Sequence, residues 1–202
     1  LDYIKELQHI EYDRQSLLDH YQEIRHRARP YVERHTEFIP DGSETSPHFR
    51  CTCAECSPSG KHQHGGGHYF IRHMERYCHP EVLRLVEQLE YITQTAVPNC
   101  PVMWIYEPGF VLPPHRDFAR VSSVIVPLTP ATVTLYRDDL PIIQHDGFDT
   151  VEHDSDYVIA EHEYSLIHPT ALHASAVVHG VRNVIEERVF LNFTGYCDWD
   201  DI

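Results

Sequence analysis

Apolar positions recur at spacings near three and four along the first 35 residues: Leu7, Ile10, Tyr12, Leu17, Leu18, Tyr21 and Ile24, with Pro30 punctuating the run. That period predicts helix. A second stripe runs from Pro80 to about Thr95, where "PEVLRLVEQLEYIT" puts Val82, Leu85, Val86, Leu89 and Ile92 on one face behind a proline at the first turn. From Pro101 the period shortens. "PVMWIYEPG", "SSVIVPL", "ATVTLY", "YSLIHPT", "HASAVV" and "RVFLNF" are brief β-branched or aromatic runs divided by turn signals, and they predict strands. No helix-length segment separates them, which excludes βαβ winding. The pattern therefore predicts a single mainly β domain of the α+β class over residues 1–202, with helical support in 1–100 and an antiparallel barrel or sandwich in 101–202.

One stretch fits neither period. Residues 40–68, "PDGSETSPHFRCTCAECSPSGKHQHGGGH", are rich in Gly, Ser, Pro, Cys and His and predict a loop, either a lid over a site or a segment pinned by a structural zinc. The zinc-type ligands would be Cys51, Cys53, Cys56, His62, His64 and His68, with Cys78 and His79 beyond the loop. Their C-x-C-x2-C spacing is not that of a finger or ribbon.

Composition narrows the partners. The chain carries 31 acidic against 16 basic residues, a formal charge of −15, which repels phosphate backbones and anionic lipid. Nucleic acid and membrane are not expected as partners, and no apolar run approaches a membrane span. The start, "LDYIKELQHIEYDRQ", lacks the apolar stretch of a secretion signal. Three of the six cysteines crowd into "CTCAEC" rather than forming a spread disulfide framework, which points to a reducing, cytoplasmic setting. Seventeen histidines supply ample metal-binding capacity.

Candidate chemistry begins at "PPHRDFAR", residues 113–120. In extended backbone His115 and Asp117 project to the same face, although a turn rich in proline and charge would read the same way. Two histidines and one carboxylate form the facial triad of non-haem Fe(II) oxygenases. Such a site needs a third ligand on a later strand and a nearby Arg whose fork grips a carboxylate. "YSLIHPTALHASAVVHGVRNVIEERVFLNF" offers both.

"YEPGFVLPPHRD" resembles the Y-x-x-G-x-x-x-x-x-H-x-D segment of the Fe(II)/2-oxoglutarate-dependent dioxygenases, particularly the prolyl-hydroxylase-like and phytanoyl-hydroxylase-like branches. "PTALHAS" is similar to their distal-His strand, and "ERVFLNF" to the final strand that opens with the Arg for 2-oxoglutarate. The resemblance covers roughly residues 101–196. It implies a double-stranded β-helix (jelly-roll, cupin-like) core, Fe(II) held by His115, Asp117 and His173, and Arg188 on the far carboxylate of 2-oxoglutarate. It implies a hydroxylase that uses O2, releases succinate and CO2, and acts on an amino acid, peptide side chain or small metabolite. Read from the residues themselves, Tyr106 is either core-packed or beside the co-substrate, and Asn192, four residues beyond Arg188, shares the inward face where co-substrate or substrate would lie. Halogenating relatives lack the carboxylate of Asp117, so its presence favours hydroxylation.

The distal ligand stays open. "HGVRN" resembles the H-x-V-x-N segment of aspartyl/asparaginyl-hydroxylase-like members, which would make His179 the ligand. His173 is preferred because it follows "YSLIHPT" at the distance of an inward ligand; His168 is a poorer alternative. Arg182 competes with Arg188 in the same way. Two other readings remain: a cupin-like metal oxygenase without 2-oxoglutarate, and a non-catalytic zinc-binding or interaction protein worked by the Cys/His segment. Substrate identity and oligomeric state are not encoded in any motif.

Overall fold

The computed structural model of the chain describes residues 2–30, 68–72, 79–94, 101–117, 120–140, 143–145, 148–150, 154–182 and 184–202. Every strand pairing among them is antiparallel. The larger sheet uses β1 (Ile4–Glu6), β2 (Arg29–Pro30), β3 (His68–Arg72), β4 (Val102–Tyr106), β6 (Ser122–Pro127), β11 (Thr170–Leu172) and β13 (Arg188–Gly195), in the order β1-β11-β6-β13-β4-β3-β2. The smaller uses β5 (Leu112–His115), β7 (Thr132–Tyr136), β10 (Val158–Glu163) and β12 (Val178–Val181), in the order β10-β7-β12-β5. A separate hairpin joins β8 (Ile143–His145) to β9 (Phe148–Thr150). No sheet closes on itself among the described residues: the expected β-rich fold is present as two open sheets with few helices.

Strand alternation gives the larger sheet two different faces. Val189, Leu191 and Phe193 of β13, Val124 and Val126 of β6, and Met103 and Ile105 of β4 point one way. They pack against Leu17, Tyr21 and Ile24 of α1 (Arg14–Ile24) and against Val82 and Leu85 of α2 (Pro80–Gln88). The intervening residues Arg188, Phe190, Asn192, Ser123, Ile125, Trp104 and Tyr106 point the other way, toward the smaller sheet.

The helices form for local reasons and then are tied down. Asp13 caps α1 by accepting from Ser16 N–H at 2.9 Å. Tyr12 Oη donates to the Pro127 carbonyl at 2.6 Å and Arg14 Nε to the Leu128 carbonyl at 2.7 Å, fixing the helix across the end of β6. Pro80 opens α2 with His79 as its cap, and the stripe continues through Leu89 into α3 (Glu90–Thr93).

Several predicted elements change. The first 35 residues are not one helical run: Ile4–Glu6 pairs with Thr170–Leu172 as the edge strand, and α1 begins only at Arg14. Sheet pairing supplies backbone partners that an isolated amphipathic start would lack, so tertiary context overrides local period. The unforeseen strand β10, "VIAEHE", alternates half-buried with exposed residues at the edge of the smaller sheet, too polar to announce itself. Of "YSLIHPT" only Thr170 is strand, and "HASAVV" is mostly a turn, with Ala176 N–H and Val177 N–H both donating to the His173 carbonyl. Among the described residues, no helix is long and apolar enough to cross a membrane.

Candidate metal centre

The smaller sheet brings His115 and His179 together. They are direct partners where β5 pairs with β12, and their rings lie 4.5 Å apart, centroid to centroid, tilted by 50°. Asp117 follows β5 by two residues, and its N–H donates to the Ala174 carbonyl at 3.0 Å, holding the segment against the turn after β11. Its carboxylate oxygens lie 3.9 Å from His115 Nε2 and 3.9 Å from His179 Nε2. One ligand atom from each of the three residues falls within 4.8 Å of the others, the one such group of His, Cys, Asp or Glu among the described residues.

The donor set fits a divalent metal on the chemistry of one hydrogen bond. His179 Nδ1 lies 3.1 Å from the Val177 carbonyl, which can only accept, so the proton sits on Nδ1 and the Nε2 lone pair is left for a metal. Two imidazoles and one carboxylate, with one side of the cluster open to a cavity, make a donor set that a divalent metal can use.

His173 does not join this cluster. It stacks on Trp199 at 4.6 Å with an interplanar angle of 13°, and its N–H donates to the Tyr3 carbonyl at 2.9 Å. Burial and the nearby Lys5 ammonium hold its pKa below the ordinary histidine value. The cause is the turn over residues 173–177: it spends the distance that a continuous strand would have used, so His173 leaves the sheet and His179 arrives beside His115. His168 is also elsewhere, with Nδ1 at 2.9 Å from the Ile10 carbonyl.

The cavity between the sheets is lined by His115, Asp117 and His179 together with Arg188, Tyr106 and Asn192. Arg188 enters from the first residue of β13, its Nη1 donating to the Thr132 carbonyl at 2.8 Å and Nη2 to Thr132 Oγ1 at 3.1 Å. Burial lowers its pKa, a tendency opposed by Tyr106 and Tyr164. Tyr106 packs on Phe110 and Phe190 at 4.5 and 5.2 Å. Asn192 Oδ1 is buried with no hydrogen-bond partner among the described residues, an acceptor that a ligand donor would satisfy. Arg182 points outward instead, 3.4 Å from Glu161.

Sequence reasoning missed three cavity residues. Trp104 shares the parity of Tyr106 along β4 and lines the cavity. Tyr164 stands just beyond β10, its phenol pKa pushed well up by burial. Arg120 holds Asp117 through Nε at 3.1 Å and Nη2 at 3.3 Å. The signal was an Arg three residues after the Asp. Of the zinc-type cluster, Cys51, Cys53, Cys56, His62, His64 and Cys78 lie outside the described residues. His79 caps α2, its Nδ1 accepting from Glu81 N–H at 3.2 Å, and its ring lies 4.9 Å from that of His20, tilted by 34°.

No protein-family model matches this chain, and no curated protein matches it in sequence. Among solved structures it is similar to the crystal structure of a Pseudomonas putida prolyl-4-hydroxylase. The TM-score is 0.50 at 12% identity, covering 92% of this chain and 89% of that chain. The likeness is one of fold. It extends over nearly the whole chain, beyond the half that carried the sequence resemblance.

Proposed function

We propose that the protein is a non-haem Fe(II)- and 2-oxoglutarate-dependent oxygenase that hydroxylates an amino acid, peptide side chain or small metabolite. The observation that carries this is the His115, Asp117 and His179 cluster opening into a cavity that also holds Arg188. The fold likeness to a prolyl-4-hydroxylase adds to it, and the two facing sheets are read as the halves of a double-stranded β-helix. His115, Asp117 and His179 hold the iron; His179 replaces His173 in that role. When bound, iron and 2-oxoglutarate together activate O2, with succinate and CO2 as co-products.

The chain's own residues do the rest. Arg188 offers its fork to the distal carboxylate of 2-oxoglutarate, already oriented by Thr132. Tyr106 flanks that carboxylate, and Asn192 accepts a hydrogen bond from co-substrate or substrate. Leu112, Ile125, Val133, Val181 and Phe190 keep the cavity walls apolar, which strengthens each polar contact inside. The test is succinate release from 2-oxoglutarate with added Fe(II), beside binding of 2-oxoglutarate to Mn(II)-loaded protein. Both are expected in the native chain. Arg188→Ala is expected to weaken 2-oxoglutarate by about 10- to 150-fold, the range for a hydrogen-bonded charge pair; unchanged binding would remove Arg188 from the assignment.

A further inference from the structure

Along the larger sheet the polar side chains that face the cavity fall into two groups. Arg188 and Tyr106 are direct partners where β13 pairs with β4, at the end that Thr132 holds. Asn192 stands four residues farther along β13, with Phe190 between them on the same face. Its neighbour across the sheet is Ser123 of β6: Ile125 pairs with Asn192, and Ser123, the next inward position, pairs with Thr194. Ser123 also pairs with Leu172, two residues before Ala174, whose carbonyl accepts from Asp117 N–H at 3.0 Å. The register therefore puts Asn192 and Ser123 toward the end of the sheet where Asp117 is tethered, and Arg188 at the other.

This second group is left without protein partners. Asn192 Oδ1 is buried with no hydrogen bond, and neither Asn192 Nδ2 nor Ser123 Oγ bonds another described residue. A half-turn of the amide exchanges Oδ1 with Nδ2, and no hydrogen bond among the described residues selects one orientation. An unpaired acceptor and an unpaired donor on one side chain in an apolar cavity cost stability until a ligand takes both. The co-substrate cannot do so. The 2-oxoglutarate dianion carries two carboxylates and a ketone, all of them acceptors, and leaves Oδ1 as it stands.

We infer that Asn192, with Ser123 beside it, recognises a carboxamide of the primary substrate, whose N–H donates to Oδ1 while its C=O accepts from Nδ2. The inference rests on the oxygenase reading of the same cavity. A carboxylate only accepts and an ammonium only donates, so either leaves one end of the Asn192 amide unpaired. A lone hydroxyl cannot meet both ends with straight bonds. Two sources share the required chemistry: a primary carboxamide, and the N–H and C=O of one residue in an extended peptide.

The experiment is a calorimetric titration of the full chain holding saturating Mn(II) and 2-oxoglutarate. For the peptide source the probes are acetyl-amino-acid dimethylamides, each with one backbone N–H, beside the acetyloxy-acid dimethylamides that carry oxygen in its place. For the primary amide they are asparagine and glutamine beside the side-chain methyl esters of aspartate and glutamate. At least one amide is expected to bind about 5- to 150-fold more tightly than its ester counterpart, and the pair that shows it identifies the source. Asn192→Leu and Asn192→Ala are each expected to bring that ratio to within about threefold while 2-oxoglutarate still binds the Mn(II)-loaded variant. Esters binding as tightly as amides, or no amide binding at all, would overturn the inference. So would Asn192 variants in which amide, ester and 2-oxoglutarate all weaken together, since Asn192 would then serve the co-substrate or only pack the cavity. Failure of 2-oxoglutarate itself to bind the Mn(II)-loaded native chain is a different result, and it sinks the oxygenase reading instead.

Discussion

The two faces of the larger sheet are made by alternate residues of the same strands, yet they obey different rules. On the helix side Val124, Val126, Val189, Leu191 and Phe193 are almost wholly buried and carry no polar side-chain atom. On the cavity side the next residues along include Arg188, Asn192, Ser123 and Tyr106, and one of their polar atoms, Asn192 Oδ1, has no hydrogen-bond partner among the described residues. The helix side holds the sheet flat against α1 and α2 by apolar burial, at about 1.5–3 kcal/mol for each fully buried large side chain. That support is what lets the opposite side keep polar groups that cost stability and wait for a ligand.

The sharpest way to break this division is a pair of neighbouring substitutions in β13. Leu191→Ala leaves a cavity against the helices and is expected to lower unfolding free energy by about 2–5 kcal/mol, measured by urea titration. Asn192→Leu, one residue on, removes a buried orphan acceptor and is expected to leave stability level or raised, while weakening ligands in the cavity. If both substitutions cost the same, the two faces are not specialised as argued.

A second contrast lies within the smaller sheet and its approach. His179→Ala is expected to lower Mn(II) or Fe(II) affinity by more than about 100-fold, because even outer-shell partners of a metal ligand are worth 10- to 100-fold. His173→Ala is expected to leave metal affinity as it was, since that ring faces Trp199. Equilibrium dialysis with metal analysis separates the two; a metal loss in the His173 variant alone would reverse the assignment made above.

That pair also marks the limit of what the sequence makes legible. The strands of the larger sheet were readable because β-branched and aromatic residues fill "SSVIVPL" and "RVFLNF", and the inward parity of Arg188 and Asn192 follows from a period of two. His115 and Asp117 were legible as a pair only together with the strands that follow them, since their two-residue spacing also suits a charged turn. The distal histidine was not, because His173 and His179 both precede Arg188 at acceptable distances, and only the turn over residues 173–177 decides which one faces inward. Hydrogen bonds among Ala176, Val177 and His173 make that turn, and "HASAVV" contains no glycine or proline to announce it. β1 was hidden differently: its reason for being a strand is Thr170–Leu172, some 165 residues away in the chain. Arg120 was overlooked because a loop cation earns no attention until its partner is known.

The smallest effect separates the faces by pH. His173, His20 and His162 all have pKa values held below the ordinary histidine value, chiefly by burial. A lowered folded pKa means that the unfolded chain binds more protons, so stability is present above the unfolded value near 6.5 and is lost as pH falls below it. His20 belongs to the helix side, where it is buried on α1, while His173 sits outside both faces against Trp199. Replacing His173 by Gln is therefore expected to make the fall in melting temperature between about pH 6.5 and 5 slightly shallower without changing its onset, because His20 and His162 still titrate. The comparison is made on metal-free protein, so that proton competition at His115 and His179 does not enter. An unchanged slope would show that the Trp199 stack accommodates imidazolium as well as imidazole, and that the acid sensitivity resides in the two histidines that remain.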